Sequence, residues 1–294
     1  MVTNPLHTDY DSDKDRSLID RTLKGDRKAL NELLENHNTF IYNIAIKMTG
    51  DLELSKDLTQ DILIKIVSNL SKYDPGKGDF RPWLYRLAFN HLLDQKKSAT
   101  ELRISSFSQL FGAVESIPDE SLEPNQAFPD ENHAYTLEVQ IKCTSGMLMC
   151  LTRDQRLLYV VGDLFQIDHN LGAEIFDLTK ESFRKRLSRI RNELHQWMHN
   201  RCGLINKDNP CRCNKKTRGF IDRGIVDPGN LIWNKDYKHR IEDYTRSQLH
   251  ELQRSSDEVY SKLYRRHPMK STQTVDEVMN TILGDKHLKQ MLEI

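Results

Sequence analysis

Apolar residues recur every three or four positions over long stretches of this chain, the period of an α-helix. Between Ser17 and Met48 the residues Leu30, Leu33, Leu34, Ile41, Ile44, Ala45 and Met48 keep that spacing. Gly25-Asp26 interrupts the pattern and Gly50-Asp51 ends it. Glycine accepts the turn, and aspartate caps the helix that follows. A second run, Leu52 to Leu70, places Leu54, Leu58, Ile62, Ile66 and Leu70 on one face. Tyr73–Asp79 is rich in Pro and Gly and reads as a loop. The next helix starts near Pro82 and runs to Lys97. It is apolar nearly all round, so it is either buried on every side or turns some rings toward a ligand. Strand signals are weak throughout, and the expected fold class is all-α.

Composition then divides the chain. Ile104 to Glu131 carries six acids, no Lys or Arg, three prolines and several serines, which reads as a negatively charged linker. Helical periodicity resumes from Asn132 to Arg201. Beyond Cys202 a Cys-, Gly- and Pro-rich loop precedes two further helices, near Lys235–Arg266 and Thr274–Leu292. The expected organisation is a flexible tail (1–14), a helical domain (15–100), the acidic linker (101–131), a second helical domain (132–201) and an extension (202–294).

Charge adds little, because 43 basic residues balance 43 acidic ones. A nucleic-acid signal must therefore lie in how charge is distributed. Five cysteines do not make a disulfide scaffold in a chain of 294 residues. Cys143 and Cys150 read as small buried hydrophobes. Met1 to Ser12 hold no apolar core of signal-peptide length, and nowhere do 18 apolar residues run together. A cytoplasmic protein without membrane insertion is expected.

The strongest local motif lies between Asp163 and Trp197. Leu171, Ala173, Ile175 and Phe176 make a short helix, and Asp177-Leu178-Thr179 turns the chain with Thr179 as N-cap. A longer helix then carries Phe183, Leu187, Ile190 and Leu194 inward. This is a helix-turn-helix layout. Its outer face presents Lys180, Glu181, Arg184, Lys185, Arg186, Arg189 and Arg191, a set suited to base edges and phosphates of the major groove. The helix beginning at Pro82 interleaves Trp83, Tyr85 and Phe89 with Arg81, Arg86, Lys96 and Lys97. Single-stranded DNA binding uses that combination of stacking rings and cations. Trp83 and Leu87 are expected in the core, with Tyr85 and Phe89 on another side. On the Leu52–Leu70 helix, Ile64 sits among Glu53, Asp57, Gln60 and Asp61; the face is either merely solvated or a docking surface.

With these residues in view, the chain resembles the extracytoplasmic-function sigma factors of bacterial RNA polymerase. LIDRTLKGDRKALNELLENH, GDLELSKDLTQDILIKI and FRPWLYRLAFNHLLDQKK resemble region 2 of that family. LTRDQRLLYVVGDLF with LTKESFRKRLSRIRNEL looks like its region 4. The resemblance covers about residues 17–200. It implies a sigma region 2 bundle, a region 4 helix-turn-helix, and core RNA polymerase and promoter DNA as partners, with an anti-sigma factor as a further candidate. Asp57, Gln60, Asp61 and Ile64 would dock on the polymerase clamp helices. Tyr85, Arg86, Phe89, Asn90, Lys96 and Lys97 would serve −10 recognition and melting, Asn90 contacting a flipped base beside the Tyr73–Asp79 loop. The linker would thread the RNA channel. Lys180, Glu181, Arg184, Lys185 and Arg189 would read the −35 element. No step calls for covalent chemistry, and no cofactor is required.

The extension departs from the minimal pattern of that family. His199, Cys202, Cys211 and Cys213, with His195 as a spare, could hold tetrahedral zinc. The spacing H-x2-C-x8-C-x-C is not a standard finger, so zinc, another metal or redox-sensing role, and unliganded thiols all stay open. Nearby Arg212, Lys215, Lys216, Arg218 and Arg223 are expected to meet DNA or the acidic linker. A helix-turn-helix regulator acting without polymerase is the competing reading. An enzyme is not expected: Gln196 stands where a zinc-hydrolase helix has its glutamate, and no phosphate loop or nucleophile constellation is present.

Overall fold

The computed structural model describes residues 4–104, 106–122, 129–233, 260, 263–265 and 267–292. Within them the regular elements are helical, and the extended pairing is a single isolated bridge between Cys202 and Cys211. The helices are α1 (Ser12–Thr22), α2 (Arg27–Thr49), α3 (Leu52–Asn69), α4 (Phe80–Asp94), α5 (Ala99–Arg103), α6 (Phe107–Glu115) and α7 (Pro129–Met149). They continue as α8 (Arg153–Tyr159), α9 (His169–Ile175), α10 (Lys180–His199), α11 (Cys213–Asp222), α12 (Thr274–Gly284) and α13 (Lys286–Leu292). The helix expected near Lys235–Arg266 lies almost wholly outside the described residues.

The chain packs as two compact units that interleave along the sequence. The first is drawn from Met1–Arg103, Thr152–Ile190 and Met269–Ile294, the second from Ile104–Leu151 and Arg191–Pro268. Sequence order alone suggested consecutive segments.

In the first unit α2 is the central element, buried almost all round from Phe40 to Thr49. Asp26 and Asp51 cap α2 and α3 by accepting from backbone N–H groups at the helix starts. Gly50 closes α2 in the left-handed region at φ 68°, where a side chain would be strained. Ser98 and Glu101 form a reciprocal cap on α5: Ser98 N–H donates to Glu101 Oε2 (2.9 Å) and Glu101 N–H to Ser98 Oγ (3.0 Å). Glu101, 4 % exposed, also accepts from Arg153 Nε at 3.0 Å and Arg156 Nη1 at 2.9 Å. The same two arginines donate to the carbonyls of Leu93 and Gln95 and of Met48. One carboxylate thus ties α2, α4, α5 and α8 together.

Two segments expected to be peripheral belong to this unit. Residues 4–11, read from their polarity as a free tail, are tied down. Leu6 is fully buried, its carbonyl accepts from Asp168 N–H, and Asn4 Nδ2 donates to Phe165 O. The closing helix α12 buries Val275, Val278 and Ile282, packing on α2 and α3. Asn43 presents both ends of its amide to the Lys270 backbone, at 2.7 and 2.8 Å, and Lys56 pairs with Glu277 at 2.7 Å.

The second unit corrects the linker expectation for residues 107–120. Phe107, Phe111 and Val114 form the buried stripe of α6, and Ile117 follows in the core. Their helical spacing was hidden by the acidic, Pro-rich average of the stretch. Phe107 and Phe111 stack on Trp197 with centroids 5.4 and 6.1 Å away. Val114 and Ile117 join Ala134, Val139, Phe220, Val226 and Leu231 in one core. The acids do meet the expected cations: Asp119 pairs with Lys216 at 3.0 Å and Glu120 with Arg218 at 3.5 Å.

Burial alone raises the Glu101 carboxyl, but the Ser98 N–H and the two guanidinium groups outweigh it and hold it below its ordinary value. Its stabilisation is therefore present above the usual carboxylate range, about 4.3, and is lost as pH falls through the lower folded value. Glu101→Gln strands the buried Arg156 and the half-buried Arg153 and is expected to cost about 3–5 kcal/mol in urea unfolding at pH 7. The difference from wild type should shrink as the pH is lowered through the carboxylate range.

Candidate nucleic-acid interface

On α3 the apolar stripe Leu58, Ile62 and Ile66 is buried against the bundle. A helical period of 100° then turns Asp57 and Asp61 outward, and both are exposed; Gln60 and Ile64 beside them are half-buried. Asp61 keeps 62 % of its side-chain area open, with His91 at 4.0 Å. The four residues expected to dock form one continuous outward face.

α4 sorts its residues differently from expectation. Tyr85 and Phe89, expected to stack on unpaired bases, are core residues at 0 and 3 % exposure. Trp83 and Leu87, expected in the core, are only half-buried, and Arg86 and Asn90 are exposed. The reason is the breadth of the buried stripe. Phe80, Leu84, Tyr85, Ala88, Phe89 and Leu92 span half the helix circumference, leaving Trp83, Arg86, Leu87 and Asn90 on the other half.

Tyr85 is held by a polar network. His37 Nδ1 lies 3.2 Å from Tyr85 OH and His37 Nε2 3.1 Å from Asp15 Oδ2, while Tyr10 OH donates to Asp15 Oδ1 at 2.8 Å. Burial, with Tyr10 and Asp15 nearby, keeps the Tyr85 phenol far above its ordinary pKa. Sequence reasoning missed this set because His37 and Asp15 lie on other helices, at positions that look like surface.

On the outward side of α4 an aromatic group continues into the preceding loop. Trp83 stacks on Phe80 at 5.6 Å and lies 5.6 Å from Tyr73. The loop is ordered by Tyr73 OH donating to Gly78 O and Gly76 N–H to Asp74 Oδ1. Half-exposed rings, a cation (Arg86) and an amide (Asn90) thus share one surface, and exposed Lys96 and Lys97 follow the helix. That set can stack on bases and neutralise phosphates.

The helix-turn-helix forms as expected. Asp168 caps α9 through Asn170 and Leu171 N–H. Asp177 takes the left-handed turn at φ 52°, and Thr179 Oγ1 accepts from Ser182 N–H at 3.1 Å. A Cβ on Gly172 would lie 2.7 Å from the Phe183 ring, so glycine sets how closely α9 and α10 approach. Phe183, Leu187 and Ile190 are buried behind α10, while Lys180, Glu181, Arg184, Lys185, Arg186 and Arg189 are all exposed. α9 also packs on α4: Phe176 lies 5.8 Å from Phe89, and Arg86 Nη2 donates to Glu174 O at 2.7 Å.

Cys202, Cys211 and Cys213 lie near one another and near Cys143, and the nearby thiols add to the rise of the Cys143 and Cys213 thiols that burial causes. Among the described residues no three His, Cys, Asp or Glu side chains are placed to hold an ion. His199 Nδ1 lies 3.1 Å from Tyr260 OH, and none of the five cysteines, all among the described residues, is in a disulfide. No described helix is long and apolar enough to cross a membrane.

Residues 33–101 match Sigma-70 region 2. The chain is 24 % identical over 177 residues to "ECF RNA polymerase sigma factor SigE" of Mycolicibacterium smegmatis, covering 59 % of this chain and 64 % of that protein. It is 29 % identical over 77 residues to "ECF RNA polymerase sigma factor SigW" of Bacillus subtilis, covering 26 % and 41 %. With "ECF RNA polymerase sigma factor SigK" of Mycobacterium bovis it shares 22 % over 192 residues, 65 % of this chain and 97 % of that one. The matched stretches thus span less than two thirds of the SigE and SigW relatives.

Tyr85→Phe is expected to destabilise the first unit by about 1–3 kcal/mol by removing a buried partner of His37. Chemical denaturation checks it; a neutral result would remove the network from the fold's support.

Proposed function

This chain is a sigma-70 family protein of the extracytoplasmic-function type, and from that premise we propose that it directs core RNA polymerase to promoters and helps open them. The observation that supports the reading is a pair of outward faces on the first unit, the half-exposed Trp83 with exposed Arg86 and Asn90 on α4 and the exposed cations of α10, together with an open Asp57–Asp61 face. A helix-turn-helix regulator working alone has no use for the α3 and α4 faces.

In this proposal Asp57, Gln60, Asp61 and Ile64 meet the polymerase clamp. Ile64 supplies apolar contact, and the two carboxylates select a basic partner surface. Arg184, Lys185 and Arg189 engage the −35 element with Lys180 and Glu181 at the helix start, where base edges are within reach. Asn90 pairs with the edge of a flipped −10 base, and Trp83 with Tyr73 supplies the stacking platform, the task first expected of Tyr85 and Phe89. Lys96 and Lys97 hold the backbone. Strand opening needs no chemistry from the protein, only tighter binding of the open state than of the closed one.

One consequence follows from the contact of α9 with α4. The −35 and −10 elements lie about 25 base pairs apart by their numbering, about 85 Å of duplex at 3.4 Å per pair. Two readers whose aromatic rings touch cannot span that distance. Engagement of both elements therefore requires α8–α10 to leave α4, releasing the Phe89–Phe176 and Arg86–Glu174 contacts and the Glu101 pairs. Residues 107–120 would likewise have to leave their core to reach the polymerase RNA channel.

Run-off transcription with purified core polymerase on genomic fragments tests the reading, and absence of any specific start would overturn it. Arg184→Ala is expected to weaken promoter binding by about 1–3 kcal/mol or to lower the salt slope by about one, while polymerase binding is unchanged. Asp61→Arg should do the reverse: lost capture of core polymerase, with the isolated protein's DNA affinity and melting temperature kept. Trp83→Ala should reduce open-complex formation more than closed-complex binding, by about 1–3 kcal/mol per lost stack, measured by permanganate reactivity of unpaired thymines.

A further inference from the structure

All five cysteines of the chain fall within the second unit, although they are spread from position 143 to position 213. Cys202 and Cys211 stand out among them, because their backbones pair directly as an isolated parallel bridge. Paired extended segments lie about 4.7–4.9 Å apart. That spacing falls inside the Cα separation a disulfide accepts, about 4.4–6.8 Å.

The loop that joins them is built to hold this approach. A Cβ on Gly203 would come within 2.2 Å of the Cys211 carbonyl oxygen, so only glycine lets the two strands meet. Buried Asn209 donates to His199 O at 2.7 Å and to Cys202 O at 3.1 Å. Arg212 donates to the carbonyls of Lys207, Asn209 and Cys211. Cys202 N–H donates to Met198 O at 2.7 Å, which fixes the loop to the last turn of α10.

The two thiols differ in access. Cys202 is buried at 6 % exposure, whereas Cys211 is half-open. Burial raises both thiols; at Cys211 the Lys216 and Arg212 charges lower it while the Asp119 and Glu115 charges raise it, and at Cys202 the Leu204 and Ile205 N–H groups and Arg212 lower it. Cys211 is therefore the sulfur a small oxidant meets first, and Cys202 is the resolving partner waiting beside it.

We propose that Cys202 and Cys211 are a reversible dithiol–disulfide pair that responds to oxidants of the peroxide class. The Cys211 thiolate attacks one peroxide oxygen; a sulfur–oxygen bond forms, the oxygen–oxygen bond breaks, and the first water leaves with the thiol proton. The Cys202 thiolate then attacks the Cys211 sulfur; the sulfur–sulfur bond forms, the sulfur–oxygen bond breaks, and the second water leaves. Two thiols and one hydrogen peroxide give one disulfide and two waters, two electrons passing from sulfur to oxygen. A dithiol reductant restores both thiols. The cross-link closes the loop onto the end of α10, in a register the reduced protein already holds. This assignment stands on the second unit's geometry and does not depend on the promoter-binding reading.

The test uses the full-length protein, reduced and freed of metal by a chelator, then exposed to stoichiometric hydrogen peroxide. The free-thiol count is expected to fall from five to three, with the intact mass lower by two hydrogens and peptide mapping giving Cys202–Cys211 as the dominant cross-link. Dithiothreitol should reverse it. Cys202→Ser should leave a sulfenic acid on Cys211 that dimedone traps, whereas Cys211→Ser should abolish the reaction at this site. Cys143→Ser, Cys150→Ser and Cys213→Ser should keep the cross-link, and melting curves check that each variant folds. A dominant link through another cysteine, or no loss of thiols, overturns the proposal. So does zinc retained stoichiometrically by untreated wild type and lost in Cys211→Ser, which would make the loop a metal site.

Discussion

The first unit depends on the burial of one carboxylate. Glu101 leaves water at a cost of several kcal/mol that only close, multiple pairing offsets. It finds that pairing in two guanidinium groups and a backbone N–H, and each arginine in turn satisfies main-chain carbonyls at the ends of other helices. Such a network is directional where apolar packing is not. The stripes of α2, α3 and α4 would bury themselves in several arrangements, but the Ser98–Glu101 cap with Arg153 and Arg156 admits one registration of α8 against the ends of α2 and α4. The position of the helix-turn-helix follows from that registration.

The same economy explains α4. Its inner half supplies Tyr85, one of the largest fully buried side chains, and that hydroxyl is committed to His37. What remains outside is a narrow face of one indole, one guanidinium and one amide, in contact with a loop ordered by its own Asp and Gly residues. Function on this helix lies where the core does not need the side chains. The contact of Phe176 and Glu174 with α4 is modest and polar at its edge, which suits an interaction that must be released.

The second unit shows how composition misleads. Averaged over its length, Ile104–Glu131 is acidic and rich in Pro and Ser, and it reads as solvated chain. Phe107, Phe111, Val114 and Ile117 nevertheless sit at helical spacing, and α7, α11 and the end of α10 give them partners. Asp119 and Glu120 are then the solvent edge of a packed segment, paired with Lys216 and Arg218.

The sequence by itself determined the helices between residues 17 and 94, the caps at Asp51 and Thr179, the outward faces of α3 and α10, and the resemblance that points to a promoter role. These depend on neighbours three or four positions apart, which a one-dimensional string records. Only the tertiary structure decided that Tyr85 and Phe89 are core while Trp83 is not, that α12 returns to α2 and α3, and that Glu101 meets Arg153 and Arg156. It also decided that Cys202 pairs with Cys211 across an isolated bridge. Each of these depends on which face of a helix meets a segment tens to hundreds of residues away. An apolar ring has the same periodicity whether its partner is a core or a base, and no local pattern distinguishes the two.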